Sequence, residues 1–132
     1  MRILFLGAEV NPFVKIGGLG DVMGSLPRAL RALGHDVRVV APAYRQVEEA
    51  FRAGRLLGAR EPIRVPMGRG AEERLEAGVL EGRLPGSEVP VYFLARRPLF
   101  DRERVYGWAD DAYRFAFLCR GAFELVSSVG WP

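Results

Sequence analysis

The opening forty residues constrain this chain more than any other stretch. Arg2 to Leu6 is a short, nearly unbroken apolar run, the pattern of a strand buried on both faces in a parallel sheet. It meets a loop, Gly7 to Leu19, interrupted by Asn11-Pro12 and by glycines. A helix is expected from about Gly20 to Leu33. Val22, Leu26, Ala29, Leu30 and Leu33 recur at three- and four-residue spacing and form its expected buried face. Gly34 closes it as a C-terminal cap, and Pro27 within it predicts a kink. Asp36 to Ala41, with Val37, Val39 and Val40, reads as a second strand. Strand, glycine loop, helix and strand in this order make a βαβ unit with its loop at the first turn.

The rest of the chain extends that unit. Tyr44 to Ala53 reads as a second helix, closed by Gly54. Between Ala59 and Ala95 the period changes to two: Ile63, Val65 and Met67 alternate, then Leu75, Ala77 and Val79. Pro85-Gly86 marks a turn and Val89 to Leu94 another strand, so a hairpin or meander is inserted between βα units. Arg96 to Ala109 is expected to be irregular, with Arg97-Pro98 as a turn. A long helix follows from about Asp110 to Ser128, capped by Asp110 or Asp111. Its expected stripe is Phe115, Leu118, Ala122, Leu125 and Val129. In a doubly wound fold such a helix returns to a further parallel strand. The reading is one α/β domain, 1–132, with a Rossmann-like, doubly wound, mostly parallel sheet and an inserted β-hairpin, expected to be incomplete at Trp131-Pro132.

Composition narrows the function. The net charge of +3 suits an anionic small molecule, and no basic cluster interleaved with aromatics points to nucleic acid. One cysteine, Cys119, and one histidine, His35, leave no internal disulfide and no cysteine or histidine metal cluster, so no metal is expected. No apolar run approaches the roughly 18 residues of a membrane span. Ile3-Leu4-Phe5-Leu6 is too short for a signal peptide, and a cytoplasmic location is expected. His35 reads as structural or solvated. Cys119, Phe115, Phe117 and Phe123 read as core, and Glu72-Glu73-Arg74 as a solvated face. Tyr106 and Trp108 read as packing residues before they read as platforms for sugar rings.

The basic residues carry one further signal. Eighteen of the nineteen are Arg, and the single Lys is Lys15. Threonine is absent and Asn and Gln occur once each, which fits an Arg-favouring genome or a heat-adapted source that avoids labile amides. The one ammonium sits inside Lys15-Ile16-Gly17-Gly18-Leu19-Gly20-Asp21. Lysine is a compact point charge, whereas arginine is a wide planar fork. Gly17 and Gly18 let backbone amides face an anion at close range. The helix beginning near Gly20 adds free N–H groups and a positive dipole end. Asp21 would repel a phosphate, so it caps the helix or accepts from sugar hydroxyls. Glu9, at the end of the first strand, faces the same mouth, as a sugar contact or as an ordinary loop residue. The run is neither the dinucleotide Gly-x-Gly-x-x-Gly nor the triphosphatase loop, because Lys15 precedes the glycines. On these residues alone, a phosphate site and a plain tight βα turn both remain open.

Glu9-Val10-x-Pro12-Phe13-x-Lys15-x-Gly17-Gly18-Leu19-Gly20-Asp21-Val22 resembles the opening signature of bacterial glycogen synthases and plant starch synthases. The resemblance continues through Leu26-Pro27-x-Ala29-Leu30-x-x-Leu33-Gly34-His35-x-Val37-x-Val39. It returns at Phe100-Asp101-Arg102, Val105-Tyr106-Gly107 and Asp110-Asp111-Ala112-x-Arg114-Phe115. Ile16 stands where the family usually has Thr, and Asp111 where it has Asn. The resemblance implies two Rossmann-like domains across a cleft and transfer of glucose from ADP-glucose to the non-reducing end of an α-1,4-glucan, with retention and without a cofactor. It also implies that Lys15 contacts the donor and that the glycine amides lie near its phosphates. The catalytic residues, the second domain and the C-terminal half that would partner this one are then expected beyond residue 132, and the 132-residue chain alone is expected to be inactive. The alternatives are another sugar-nucleotide transferase of the same architecture, or a non-catalytic anion- or nucleotide-binding remnant.

Overall fold

The structure, a computed structural model, describes residues 1–68 and 73–131. Glu72 and Pro132 lie outside the described residues. Strands β1 (Arg2–Leu6), β2 (Asp36–Pro42), β3 (Gly58–Pro66), β4 (Arg74–Arg83) and β5 (Pro90–Ala95) form one sheet in the order β1-β2-β5-β4-β3. β1 pairs parallel with β2, and β2 parallel with β5. β5 pairs antiparallel with β4, and β4 antiparallel with β3. Four strands therefore run one way and β4 alone runs against them. The inserted element is a meander, and β5 serves both as its last strand and as the next parallel strand of the βα series.

Hydrophobic burial explains the order. β2 and β5 sit in the middle and bury Val37, Val39, Val40, Val91, Phe93 and Leu94 completely, as continuous apolar strands should. β4 buries Ala77 and Val79, whereas β3 at the edge alternates, burying Ile63 and Val65 and exposing its other face.

Helices α1 (Gly18–Ala32), α2 (Arg45–Arg52), α3 (Arg97–Phe100) and α4 (Asp111–Ser128) complete the described elements. Three expectations about them need correction. First, α1 buries little of its expected apolar stripe, of which Leu30 packs partly buried against the core. Val22, Leu26 and Leu33 are exposed, Leu33 to 75%, and the helix buries Gly20, Met23, Gly24 and Pro27 instead. The reason is close approach: a Cβ on Gly24 would lie 2.5 Å from the Asn11 carbonyl oxygen and one on Gly20 would crowd Lys15 and Glu9, so this side of the helix meets the loop through glycines. Second, Arg97-Pro98 opens the single helical turn α3, with Pro in the first turn where its missing N–H costs nothing. Third, neither aspartate caps α4 with its side chain, because Asp110 binds Arg102 and Asp111 binds Arg114 and the Gly107 amide.

α4 does bury Leu118, Ala122 and Leu125, together with Phe117, Gly121 and Arg114. Cys119 is exposed and Phe123 is 71% exposed, so neither belongs to the core. Both lie off the stripe that faces the sheet. The C-terminal ends of β1, β2 and β5 share one edge of the sheet. That geometry brings together the glycine loop after β1, Tyr44 after β2, and the segment 96–110 after β5.

Candidate functional site

The loop after β1 is tightly built. Val10 and Val14 exchange both backbone hydrogen bonds at 2.9 Å and bury their side chains. The Asn11 amide donates to the Gly20 carbonyl at 3.0 Å, which pins the loop to the first turn of α1. Phe13 packs edge-on against Phe93 of β5, with centroids 4.9 Å apart.

Glu9 organises the centre. It is 4% exposed and, with Arg114, one of two buried charged residues among the described residues. Its Oε1 accepts from the amides of Ile16 at 2.7 Å and Gly17 at 2.8 Å. Its Oε2 accepts from the Tyr106 hydroxyl. Burial pushes the carboxyl up, but the hydrogen bonds from Tyr106 and the loop amides outweigh it and hold Glu9 below its ordinary value. Burial and the bond to Glu9 push the Tyr106 phenol well up, so it stays a neutral donor. Of the two readings of Glu9, the geometry displays the loop role: this carboxylate shapes the turn.

The other residues singled out from sequence surround the same turn. Gly17 occupies the N-cap of α1 with an extended backbone, φ −148°, and its amide is held by Glu9. Gly18 and Leu19 open the helix, where amides have no intrahelical acceptor. A Cβ on Gly17 or Gly18 would meet nothing within 4 Å, and neither has positive φ. Neither internal packing nor backbone conformation requires glycine at these two positions. Gly20 differs, since a Cβ there would crowd Lys15 and Glu9 at 3.1–3.2 Å. Lys15 extends its ammonium to 3.2 Å from Asp21, with both side chains about half-exposed. Asp21 is therefore the ion-pair partner of Lys15, and it does not cap the helix. Beside Ile16 lies a recess of about 130 Å³ lined by Tyr44, Gln46, Arg102, Glu103, Arg104 and Val105.

Two residues matter more than the sequence suggests. Tyr44 is buried and donates to the Ala8 carbonyl at 2.8 Å, bracing the end of β1. Tyr106 reaches Glu9 across 97 positions of sequence, a pairing that no local pattern signals. Trp108 is already stacked, with the Arg104 guanidinium 4.2 Å from its ring, and its Nε1 donates to the Arg104 carbonyl, so it packs as expected. Among the described residues no group of three His, Cys, Asp or Glu side chains gathers as a metal site.

A half-exposed ammonium, two open glycines and a helix N-terminus thus meet at the C-terminal edge of a parallel sheet. Residues 2–132 match the family model for the starch synthase catalytic domain. The chain belongs to the starch synthase catalytic domain family. It is 43% identical to glycogen synthase 1 of Geobacter metallireducens, covering 99% of this chain and 26% of that one. It is 45% identical to glycogen synthase 1 of Geobacter sulfurreducens over the same shares. Glycogen synthase 1 of Synechocystis is 41% identical, over 96% of this chain and 24% of its own length. Among solved structures, the catalytic domain of starch synthase IV from Arabidopsis thaliana, bound to ADP and acarbose, superposes with a TM-score of 0.79 at 28% identity. That match covers 98% of this chain and 26% of the plant domain. The chain thus spans about a quarter of the length of the relatives it matches. The family fold and the mixed, mostly unidirectional sheet agree with the sequence reading, and no helix among the described residues is long and apolar enough to cross a membrane.

Proposed function

We propose that this chain forms one wall of the cleft of a cytoplasmic glucosyltransferase that moves glucose from ADP-glucose to the non-reducing end of an α-1,4-glucan, with retention. The observation that carries the reading is the combination of Lys15 with the unobstructed Gly17-Gly18 pair at the start of α1. Glycines that nothing inside the protein requires are explained by something outside it that must approach the backbone. The helix N-terminus and the ammonium set the charge of that ligand as negative. The plant relative holds ADP and acarbose, a nucleoside diphosphate beside a sugar, and that supports the choice of donor class.

In this reading the chain acts by charge and position. Lys15 leaves Asp21 or shares it, and its ammonium meets the diphosphate together with the amides of Gly18 and Leu19. Such preorganised donors stabilise the charge that develops on the leaving ADP. Asp21, released on one side, accepts from donor hydroxyls. Glu9, buried and holding two loop amides and the Tyr106 hydroxyl, is assigned the shaping of the loop. The groups that complete the transfer are assigned to the part of the relatives' length that this chain does not span, including a C-terminal half facing this one. No metal or organic cofactor is assigned to the reaction.

The test is elongation of a maltodextrin primer by the full-length protein with ADP-glucose, with UDP-glucose and excess EDTA as separate arms. Elongation with ADP-glucose that survives EDTA is expected. A protein that binds ADP yet elongates nothing would favour the anion-binding alternative, and a clear preference for another acceptor sugar would favour a different transferase of this architecture.

A further inference from the structure

Among the described residues Arg114 is the other buried charge, with no exposed surface. It projects from the first turn of α4 and spans two points of the irregular segment before that helix. Its Nε donates to the Leu99 carbonyl at 2.6 Å and its Nη1 to the Val105 carbonyl at 2.9 Å. Nη1 also donates to Asp111 at 2.8 Å. Asp111 uses its second oxygen to accept from the Gly107 amide at 2.9 Å. The pair therefore grips the peptides on both sides of Tyr106: residue 105 through its carbonyl and residue 107 through its amide. Gly107 turns the chain at φ +91°, a conformation that favours glycine. Between these two clamps the Tyr106 ring packs against Phe115 and its hydroxyl reaches Glu9.

This is an expensive way to hold a loop if cohesion is the only need. A fully buried guanidinium costs desolvation, and replacing such groups by apolar ones of similar size is often neutral or stabilising. Here the Nη2 atom is also buried without a hydrogen-bond partner among the described residues, the guanidinium lying between the Phe100 and Phe115 rings. A group that adds little net stability while fixing two backbone points is suited to placing a third thing accurately.

We propose that Arg114, acting with Asp111, is a positioning residue for the glycine loop: it fixes Tyr106, Tyr106 fixes the Glu9 carboxylate, and Glu9 fixes the amides of Ile16 and Gly17. The path runs from α4 through the 99–107 segment to the start of α1, and Arg114 acts on the loop through that segment. For its effect on turnover this inference rests on the reading of the loop as the donor site. The geometric part does not.

Two measurements keep those parts separate. In NMR spectra of this chain, the Ile16 and Gly17 amide protons should lie downfield, as expected for amides bound to a carboxylate. They should move upfield together in Glu9→Gln, in Tyr106→Phe and in Arg114→Met, while amides of the central strands stay in place. Loop amides that move in Glu9→Gln but not in Arg114→Met or Tyr106→Phe would overturn the relay, whatever the protein catalyses. In the full-length protein, Arg114→Met and Tyr106→Phe should each raise KM for ADP-glucose about ten-fold, the scale of one lost hydrogen bond, with KM for primer unchanged. The double variant should be no worse than either single one, because both cut the same path. Additive losses, or a fall in melting temperature with KM unchanged, would make Arg114 a structural residue only. Should Arg114→Met fail to fold, Asp111→Ala removes the grip on Gly107 and must produce the same upfield shift, or the inference falls. A wild-type protein that does not use ADP-glucose would remove the proposed function, and the amide shifts would still decide for or against the relay by themselves.

Discussion

Lys15 and Asp21 hold each other at 3.2 Å, and that pair decides how the loop should respond to substitution. An exposed ion pair adds little to stability, so removing Lys15 should leave the fold intact. Its effect belongs to the ligand. Lys15→Ala in the full-length protein should lower kcat/KM for ADP-glucose by roughly ten- to a hundred-fold, the worth of a charged hydrogen bond, at an unchanged melting temperature. Lys15→Arg should also impair it, since the planar fork does not match a space shaped for a point charge. Steady-state kinetics of both variants would settle this, and wild-type rates for Lys15→Ala would remove the residue from the site. Gly18→Val sharpens the same point. A Cβ there is unopposed inside the protein, so thermal stability should barely change while donor affinity, read by calorimetry, is lost. Full affinity in that variant would end the idea of an amide cradle. The Lys15 run is legible because glycine and a lone lysine are conspicuous in sequence. The Glu9 network is not, because its partner Tyr106 lies 97 positions away and nothing local links them.

At the level of elements, α1 shows why hydrophobic spacing misleads. Two stripes run along this helix: Val22, Leu26 and Leu33 on one side, and Gly20, Met23, Gly24 and Pro27 on the other. The first carries the hydrophobic signal that periodicity detects. The second is weaker, because two of its four residues are glycines that contribute no apolar surface, yet it is the side that packs. Backbone-to-backbone approach selects small residues regardless of their hydrophobicity. Gly24 is the tightest point, and a Cβ there would press on the Asn11 carbonyl, which is itself held in the loop. Alanine is the better helix former by up to about 1 kcal/mol. Overpacking should win, with Gly24→Ala destabilising by about 1–3 kcal/mol in urea unfolding. A stabilised variant would mean that the loop yields and that the close approach is not a constraint. The strands are easier to read. Valine-rich β2 and β5 bury both faces, and the alternation of β3 and β4 announces the meander, whose turn at Pro85-Gly86 is marked by Gly86 at φ +70°. The short helix α3 escapes a reading by sequence because its Arg97-Pro98 suits a turn and a first helical turn equally.

Across the whole molecule two kinds of cohesion divide the work. The sheet and the inner face of α4 are held by apolar burial that does not titrate. The segment between β5 and α4 is held largely by carboxylates: Asp101 pairs with Arg45 at 2.7 Å, Asp110 with Arg102 at 2.6 Å, Asp111 with Arg114 at 2.8 Å, and Glu9 with Tyr106. The hydrogen bond from Arg45 lowers Asp101, and that from Arg102 lowers Asp110. Burial raises Asp111 and Glu9, but hydrogen bonds outweigh it and leave both lowered. A carboxylate lowered in the folded state stabilises it above its ordinary value, near pH 4, and that contribution is lost as pH falls through the folded value. All four groups therefore act in the same direction and in the same part of the molecule. Acidification below about pH 4 should loosen the 96–111 segment, and with it the glycine loop, before the sheet unfolds. Trp108 lies inside that segment and reports on it, provided Trp131 is replaced by Phe so that it is the only indole. In moderate salt, Trp108 emission should change at a higher pH than the far-ultraviolet dichroism of the sheet. The gap between the two midpoints should widen in Asp111→Asn, which gives up one clamp in advance and lets the segment loosen at a higher pH. Coincident transitions in the Trp131→Phe chain would show that the segment and the sheet form one cooperative unit, with the carboxylates holding the whole and not this part.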